Sequence, residues 1–257
     1  SCHIRSGVNI NFDATAKPEY YPISANQGLV YLTYVLNNTL PRIIRCPLPN
    51  GTCIAEGSLS LVQGGGTISA FVLTMKSNYA FIADINHLYR CEVISGDIRG
   101  CTNITIHGAP DIIDLTFNYK DQVLYALHST GILSVYNYNP DTHNLSLKQE
   151  FPLSGHNATS ITFNNNRSTL YLSFKDGLYY MKVNELGIPE GSPIKLNGTD
   201  NGKNAKFVTT TADDIYALSS TKLIHVNLNT GTSSSFTSLA GIPVENIAAI
   251  SAYNELD

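Results

Sequence analysis

The chain has 257 residues, of which 43% are apolar and 14% charged, with a formal net charge of −4. That length suits one large domain or two small ones. No basic run is present to meet a nucleic-acid backbone, and no apolar stretch reaches the roughly 18 residues of a membrane-spanning helix.

Asn, Ser and Thr supply the polarity that charge supplies elsewhere, since soluble domains usually carry about 25% charged residues. Such surfaces are more typical of secreted or periplasmic proteins. In chain order, residues 1–27 stand apart from the rest of the chain. They hold one alternating run, Val8 to Phe12, and the pair Tyr20-Tyr21. They read as an N-terminal extension packing on the rim or a face of the main domain, or as a sixth irregular unit. Cys2 in this stretch fits either the acylated cysteine of a bacterial lipoprotein or a free thiol at a frayed end.

From residue 28 a repeat takes over. Aromatic-centred runs recur at Val30–Tyr34, Ala80–Asp84, Leu124–His128, Leu170–Phe174 and Ile215–Ser219. They are apolar on both faces, as strands buried between sheets must be. A second run comes after each, led by Ile43, Leu88, Leu133, Leu178 and Leu223, at intervals of 45 residues. Turn chemistry comes next (Asn50-Gly51, Ser95-Gly96, Asn139-Pro140-Asp141, Glu185-Leu186-Gly187, Asn229-Thr230-Gly231), then a polar strand suited to an outer edge. An inner strand precedes each aromatic run: Ile68–Leu73, Ile112–Phe117, Ser160–Phe163, Phe207–Thr211 and Ile247–Ile250.

Four strands in about 45 residues, with no 3.6-residue periodicity, predict an all-β, five-bladed β-propeller of four-stranded antiparallel blades over 28–257. The first unit lacks an inner strand and the C-terminus has one to spare. The expectation is a ring closed when Glu245 to Tyr253 joins the N-terminal blade.

Cys46 and Cys53, like Cys91 and Cys101, bracket short turn-rich segments. They fit two hairpin-closing disulfides in an oxidising compartment, or four reduced thiols. Seven Asn-x-Ser/Thr sequons permit a secreted protein without establishing a eukaryotic source.

The units Leu124-Tyr-Ala-Leu127, Leu88-Tyr-Arg-Cys91 and Asn227-Leu-Asn-Thr-Gly231 resemble the YVTN and lactonase-like propeller repeats of bacterial extracytoplasmic proteins. The cysteine-bearing unit 88–102 is similar to repeats in secreted proteins of some intracellular gammaproteobacteria. The resemblance implies a propeller outside the cytoplasm, secreted or periplasmic. It departs from the larger members in having five units rather than seven, and it lacks both a clear YVTN tetrapeptide and a Trp-Asp pair.

Function then falls to the loops between strands. His87, His107, His128 and His156, with Asp84 and Asp111, sit in loops of one end and carry the donors of a metal or acid–base site. Their alternative is ordinary surface polarity. Asp111 and Asp114 lie at an inner strand, where a carboxylate can face a channel, but the acids a glycosidase needs on other blades are missing. Tyr34 and Phe174, with Tyr20 and Tyr21, fall outside the repeat's core positions and are the aromatic candidates for a binding surface. Gly64-Gly65-Gly66 precedes a strand rather than a helix, so it offers no phosphate cradle, and no cofactor motif occurs. The sequence therefore favours a non-catalytic extracytoplasmic binding module, for a protein more than a glycan. The competing reading is a metal-dependent hydrolase or lactonase-like enzyme at the channel mouth.

Overall fold

A computed structural model describes the strands between residues 23 and 58 by their backbone. Residues 68–252 are described in full apart from 75–77, 85, 96, 105–110, 154–156, 199–201, 240 and 248. The chain divides into two compact units, Ser1–Pro110 and Asp111–Asp257.

In the first unit, β1 (Ile23–Asn26), β2 (Leu29–Tyr34), β3 (Arg42–Pro47) and β4 (Ile54–Ser58) pair in that order. The sheet β5 (Ile68–Leu73), β6 (Tyr79–Asp84), β7 (Leu88–Ile94) and β8 (Asp97–Asn103) repeats the pattern. The second unit holds three more such sheets. They are β9 (Ile112–Asn118) to β12 (Leu145–Pro152) with β10 (Val123–His128) and β11 (Ile132–Tyr138) between them; β13 (Ala158–Asn164), β14 (Thr169–Phe174), β15 (Gly177–Val183) and β16 (Pro189–Lys195); and β17 (Phe207–Thr210), β18 (Asp214–Leu218), β19 (Leu223–Asn227) and β20 (Ser233–Phe236). A two-stranded ladder, β21 (Ser238–Leu239) with β22 (Ile242–Pro243), and a 3₁₀ turn at Val244–Asn246 come last.

All these pairings are antiparallel. The repeat explains them: β10 and β14 are buried at every residue, whereas β12 and β16 are largely exposed. A strand apolar on both faces needs cover on both, and a polar strand tolerates the edge.

The fold differs from the sequence expectation in two respects. Four blades are described in full, against the five expected; the sheet β1–β4 is known by its backbone pairing alone. The expected closure also fails. The edge of β2 awaiting an inner strand is taken by β1, which lies inside the stretch read as an extension. Among the described residues of 247–252 none is in a strand, because a strand requires a ladder and none is made there. The segment is instead anchored by the Ala252 N–H, which donates to Thr209 Oγ1 at 2.8 Å, while Ile247 and Ile250 pack against Leu218, Leu223 and Val244.

Adjacent blades of the second unit are joined by buried side chains. Asn164, fully buried, accepts through Oδ1 from the N–H groups of Asn166 and Arg167, capping its own hairpin. Its Nδ2 donates to Thr210 Oγ1 and to the Thr211 carbonyl in the next blade. Tyr125 donates to the Gly187 carbonyl at 2.6 Å. Gly187 has φ +71°, and a Cβ there would lie 2.8 Å from Val123 Cγ2, so the turn requires glycine.

Candidate functional site

The loop ends named from sequence are built mostly from self-contained turns. Asp84 closes the β6–β7 turn. Its Oδ1 accepts from the N–H of Asn86 at 2.8 Å and of His87 at 2.7 Å, and lies 3.1 Å from His87 Nδ1. Its Oδ2 accepts from the Tyr89 hydroxyl at 3.2 Å. Burial, then the charge of Asp84, pushes that hydroxyl up to about 12. Asp84 and His87 are thus brought together, with the carboxylate buried and the imidazole partly exposed.

The second unit treats its loop ends the same way. His128 is 3% exposed and turned inward, with Nε2 2.8 Å from Ser134 Oγ. Asp111 adopts φ +60° and accepts the Ser129 N–H through its main-chain carbonyl. Tyr179 donates to Asp176 Oδ2 at 2.7 Å, and that bond, with burial, raises its pKa. Ser219 Oγ accepts from the N–H of Lys222. Phe174, expected at a surface, is fully buried against Tyr179, its ring centroid 4.6 Å away and edge-on, so it offers no face to a ligand. His107 and His156, with Tyr20 and Tyr21, lie outside the described residues, as do Cys2 and the side chains of Tyr34, Cys46 and Cys53. Among the described residues no three metal-binding side chains cluster.

Asp114 has a different environment. It sits on β9 and reaches the neighbouring blade: Oδ2 accepts from Ser160 Oγ at 2.7 Å and from the Ile161 N–H at 2.8 Å, and Oδ1 accepts from the Leu115 N–H. The residue keeps some exposed area, but its carboxylate is enclosed by these donors. Burial drives the carboxyl up to about 6, against the three hydrogen bonds that pull it down.

The site missed from sequence lies on the outer strands. A groove of about 260 Å³ is lined by Phe151, Pro152 and Leu153 from the end of β12, and by Met181, Gly191, Ser192 and Pro193. A bulge creates it: β15 and β16 pair Tyr180 with Ile194 and Lys182 with Glu190, leaving residues 191–193 opposite Met181. Five large apolar side chains are exposed among the described residues, and three of them, Leu147, Leu186 and Ile194, lie on these two blades. Lys148 Nζ donates to the Leu186 carbonyl at 2.8 Å, tying β12 to the β15–β16 turn that carries Leu186. The signal available in sequence was aliphatic residues at Leu147 and Ile194, on outer strands that also carry Ser, Lys, Gln and Glu.

The one disulfide among the described residues, Cys91–Cys101, ties β7 to β8. No described helix is long and apolar enough to cross a membrane.

No family model matches the chain, and no curated protein matches it. Solved structures do. A nidogen–laminin complex structure contains a chain matched with TM-score 0.65 at 14% identity, over 86% of this chain and 80% of that one. A putative 6-phosphogluconolactonase from Bacteroides uniformis aligns with TM-score 0.57 at 17% identity, over 86% and 71%. The β-propeller domain of Cps50 (Swd1) from Myceliophteria thermophila aligns with TM-score 0.52 at 14% identity, over 81% and 67%. The fold is a β-propeller. At these identities the likeness carries the fold and not an activity.

Proposed function

We propose that the chain is an extracytoplasmic propeller that recognises a protein partner along the outer strands of the blades β9–β12 and β13–β16. The observations that carry this reading are the exposed aliphatic side chains Leu147, Leu186 and Ile194 on these two blades and the groove lined by the end of β12 and the bulge of β16. Burying each aliphatic side chain in an interface contributes about 1.5–3 kcal/mol, so three together are an appreciable driving force. A protein fits better than a glycan, because the exposed side chains that mark this face, Leu147, Leu186 and Ile194, are aliphatic and offer a sugar no directed polar group. The Cys91–Cys101 bond supports an oxidising compartment. The nidogen–laminin complex adds support, because a chain of similar fold takes part in a protein assembly there.

The test is a photo-crosslinker placed at Ile194 and, as control, at exposed Lys120, followed by affinity measurements with the protein captured. The expected result is capture from Ile194 alone and at least a tenfold weaker affinity for Leu186→Glu, with the fold unchanged. Binding that survives Leu186→Glu and Ile194→Glu together would overturn the reading. The enzymatic alternative is favoured by the likeness to a putative lactonase and by the Asp84–His87 pair. Stoichiometric metal in the purified protein, lost in His87→Ala, would establish it instead.

A further inference from the structure

We infer that Asp114 is a proton-sensitive clasp coupling three successive inner strands of the second unit. The chain of contacts is continuous. The Ser160 hydroxyl on β13 donates to Asp114 Oδ2 on β9 at 2.7 Å, and Ser160 Oγ accepts the Val208 N–H from β17 at 3.1 Å. The Ile161 N–H donates to the same carboxylate oxygen at 2.8 Å, and the Leu115 N–H to the other at 2.9 Å. Three donors converge on one carboxylate, so the anion is the form that satisfies them all.

Protonation changes this inventory. The new O–H needs an acceptor, and the oxygen within reach is Ser160 Oγ. The hydroxyl then reverses, receiving from the carboxyl instead of donating to it, while it still accepts from Val208. One proton on β9 thereby alters the hydrogen bond held by β17, two blades away. The proton comes from solvent, the carboxyl O–H is the one covalent bond formed, and the Ser160 hydroxyl hydrogen gives up Asp114 Oδ2 and turns to another acceptor.

The groups around Asp114 leave it in control of the transition. Strands β13 and β17 carry no titratable residue in Ala158–Asn164 and Phe207–Thr210. On β10, Tyr125 is turned to the Gly187 carbonyl and His128 to Ser134. On β9, Asp114 is the one titratable side chain, and Asp111 precedes the strand. Burial outweighs the donors and holds the carboxyl near 6. The clasp therefore switches between neutral and mildly acidic solution.

The test is carboxyl ¹³C and amide NMR of the full chain from pH 4 to 8, with Asp114→Asn to assign the resonance. The expected midpoint is about 6 for the Asp114 carboxyl. The Ile161 and Val208 amides should move with that midpoint and stay flat in Asp114→Asn. Ser160→Ala should shift the midpoint upward and uncouple Val208. An Asp114 carboxyl that titrates in the ordinary aspartate range would overturn the inference. So would a Val208 amide that ignores the transition, and Asp114→Asn with wild type decides this even if Ser160→Ala fails to fold.

Discussion

The cysteine-bearing blade of the first unit and the blades of the second unit hold their edges by different means. In β5–β8, a covalent bond between Cys91 and Cys101 fastens the outer strand to its neighbour. In the second unit, polar side chains reach into the following blade: Asn164 to Thr210 and Thr211, Tyr125 to Gly187, Asp114 to Ile161. A disulfide constrains two strands of one sheet and acts largely on the unfolded chain. A buried polar bridge couples two sheets and acts on the folded state, where an unsatisfied group is costly. The first device should give local stability, and the second cooperativity between blades.

The largest effect is expected from breaking a bridge. Asn164→Ala removes the acceptor for two turn amides and the donor for three groups of the next blade, all in a fully buried position. The expected loss is about 3–4 kcal/mol, read as a fall in the urea midpoint. The loss should appear in both flanking blades by hydrogen exchange. A change confined to β13–β16 would show that the bridge is local after all.

Opening the disulfide should cost slightly less, about 3 kcal/mol for a loop of this length. The double variant Cys91→Ser, Cys101→Ser tests it. Faster amide exchange should be confined to β7 and β8 and leave the second unit untouched. Spread of the effect into β9–β20 would erase the distinction between the two devices.

The same contrast explains what was legible in the sequence. The strands were, because Leu88, Leu133, Leu178 and Leu223 mark one packing position at a fixed spacing and hydrophobic burial is periodic. Side-chain partners were not. His128 looked like a loop ligand, but the register that pairs it with Ile112 leaves its ring against Ser134. Phe174 fell outside the repeat's aromatic slot, yet the ladder pairs it with Gly177, and the space that glycine leaves lets Tyr179 cover it. Asp114 finds its partners at Ser160 and Ile161, a full repeat away, where no local pattern points. The groove depends on a bulge opposite Met181, and a bulge is a mismatch in register that only the paired strands reveal. The inner-strand pattern at Ile247–Ile250 was real in sequence, but its described residues make no ladder and are held instead by packing on Leu218, Leu223 and Val244.

Acidity gives a smaller effect, and its sign discriminates. The carboxyl of Asp114 lies at about 6 in the folded chain, above the ordinary 3.8. The folded state therefore binds the proton more tightly than the unfolded one. Its contribution is greatest below the unfolded value and is lost as pH rises through about 6. The melting temperature should accordingly rise as pH falls from 7 to 5, apart from other groups, and Asp114→Asn should flatten that slope. A slope unchanged in Asp114→Asn would assign it elsewhere.

Tyr125→Phe should have the smallest effect on stability, and it probes the bridge most cleanly. The substitution keeps the ring, which stacks on Phe163 with centroids 5.4 Å apart, and deletes the hydroxyl bonded to the Gly187 carbonyl and approached by Asn118 Nδ2 at 3.3 Å. Burial is the leading reason that hydroxyl's pKa is raised, so it stays neutral across the working range and pH should not alter the result. The expected cost is about 1–1.5 kcal/mol, the worth of one buried hydrogen bond whose partner loses its donor. The freed carbonyl belongs to the turn that carries Leu186, so the loss should loosen that turn before it lowers the midpoint of unfolding. Faster exchange at Gly187, whose N–H donates to Asn184, is the measurement. If the turn keeps its protection, Lys148 on the Leu186 carbonyl holds it without help from Tyr125, and the bridge between these blades is redundant at that end.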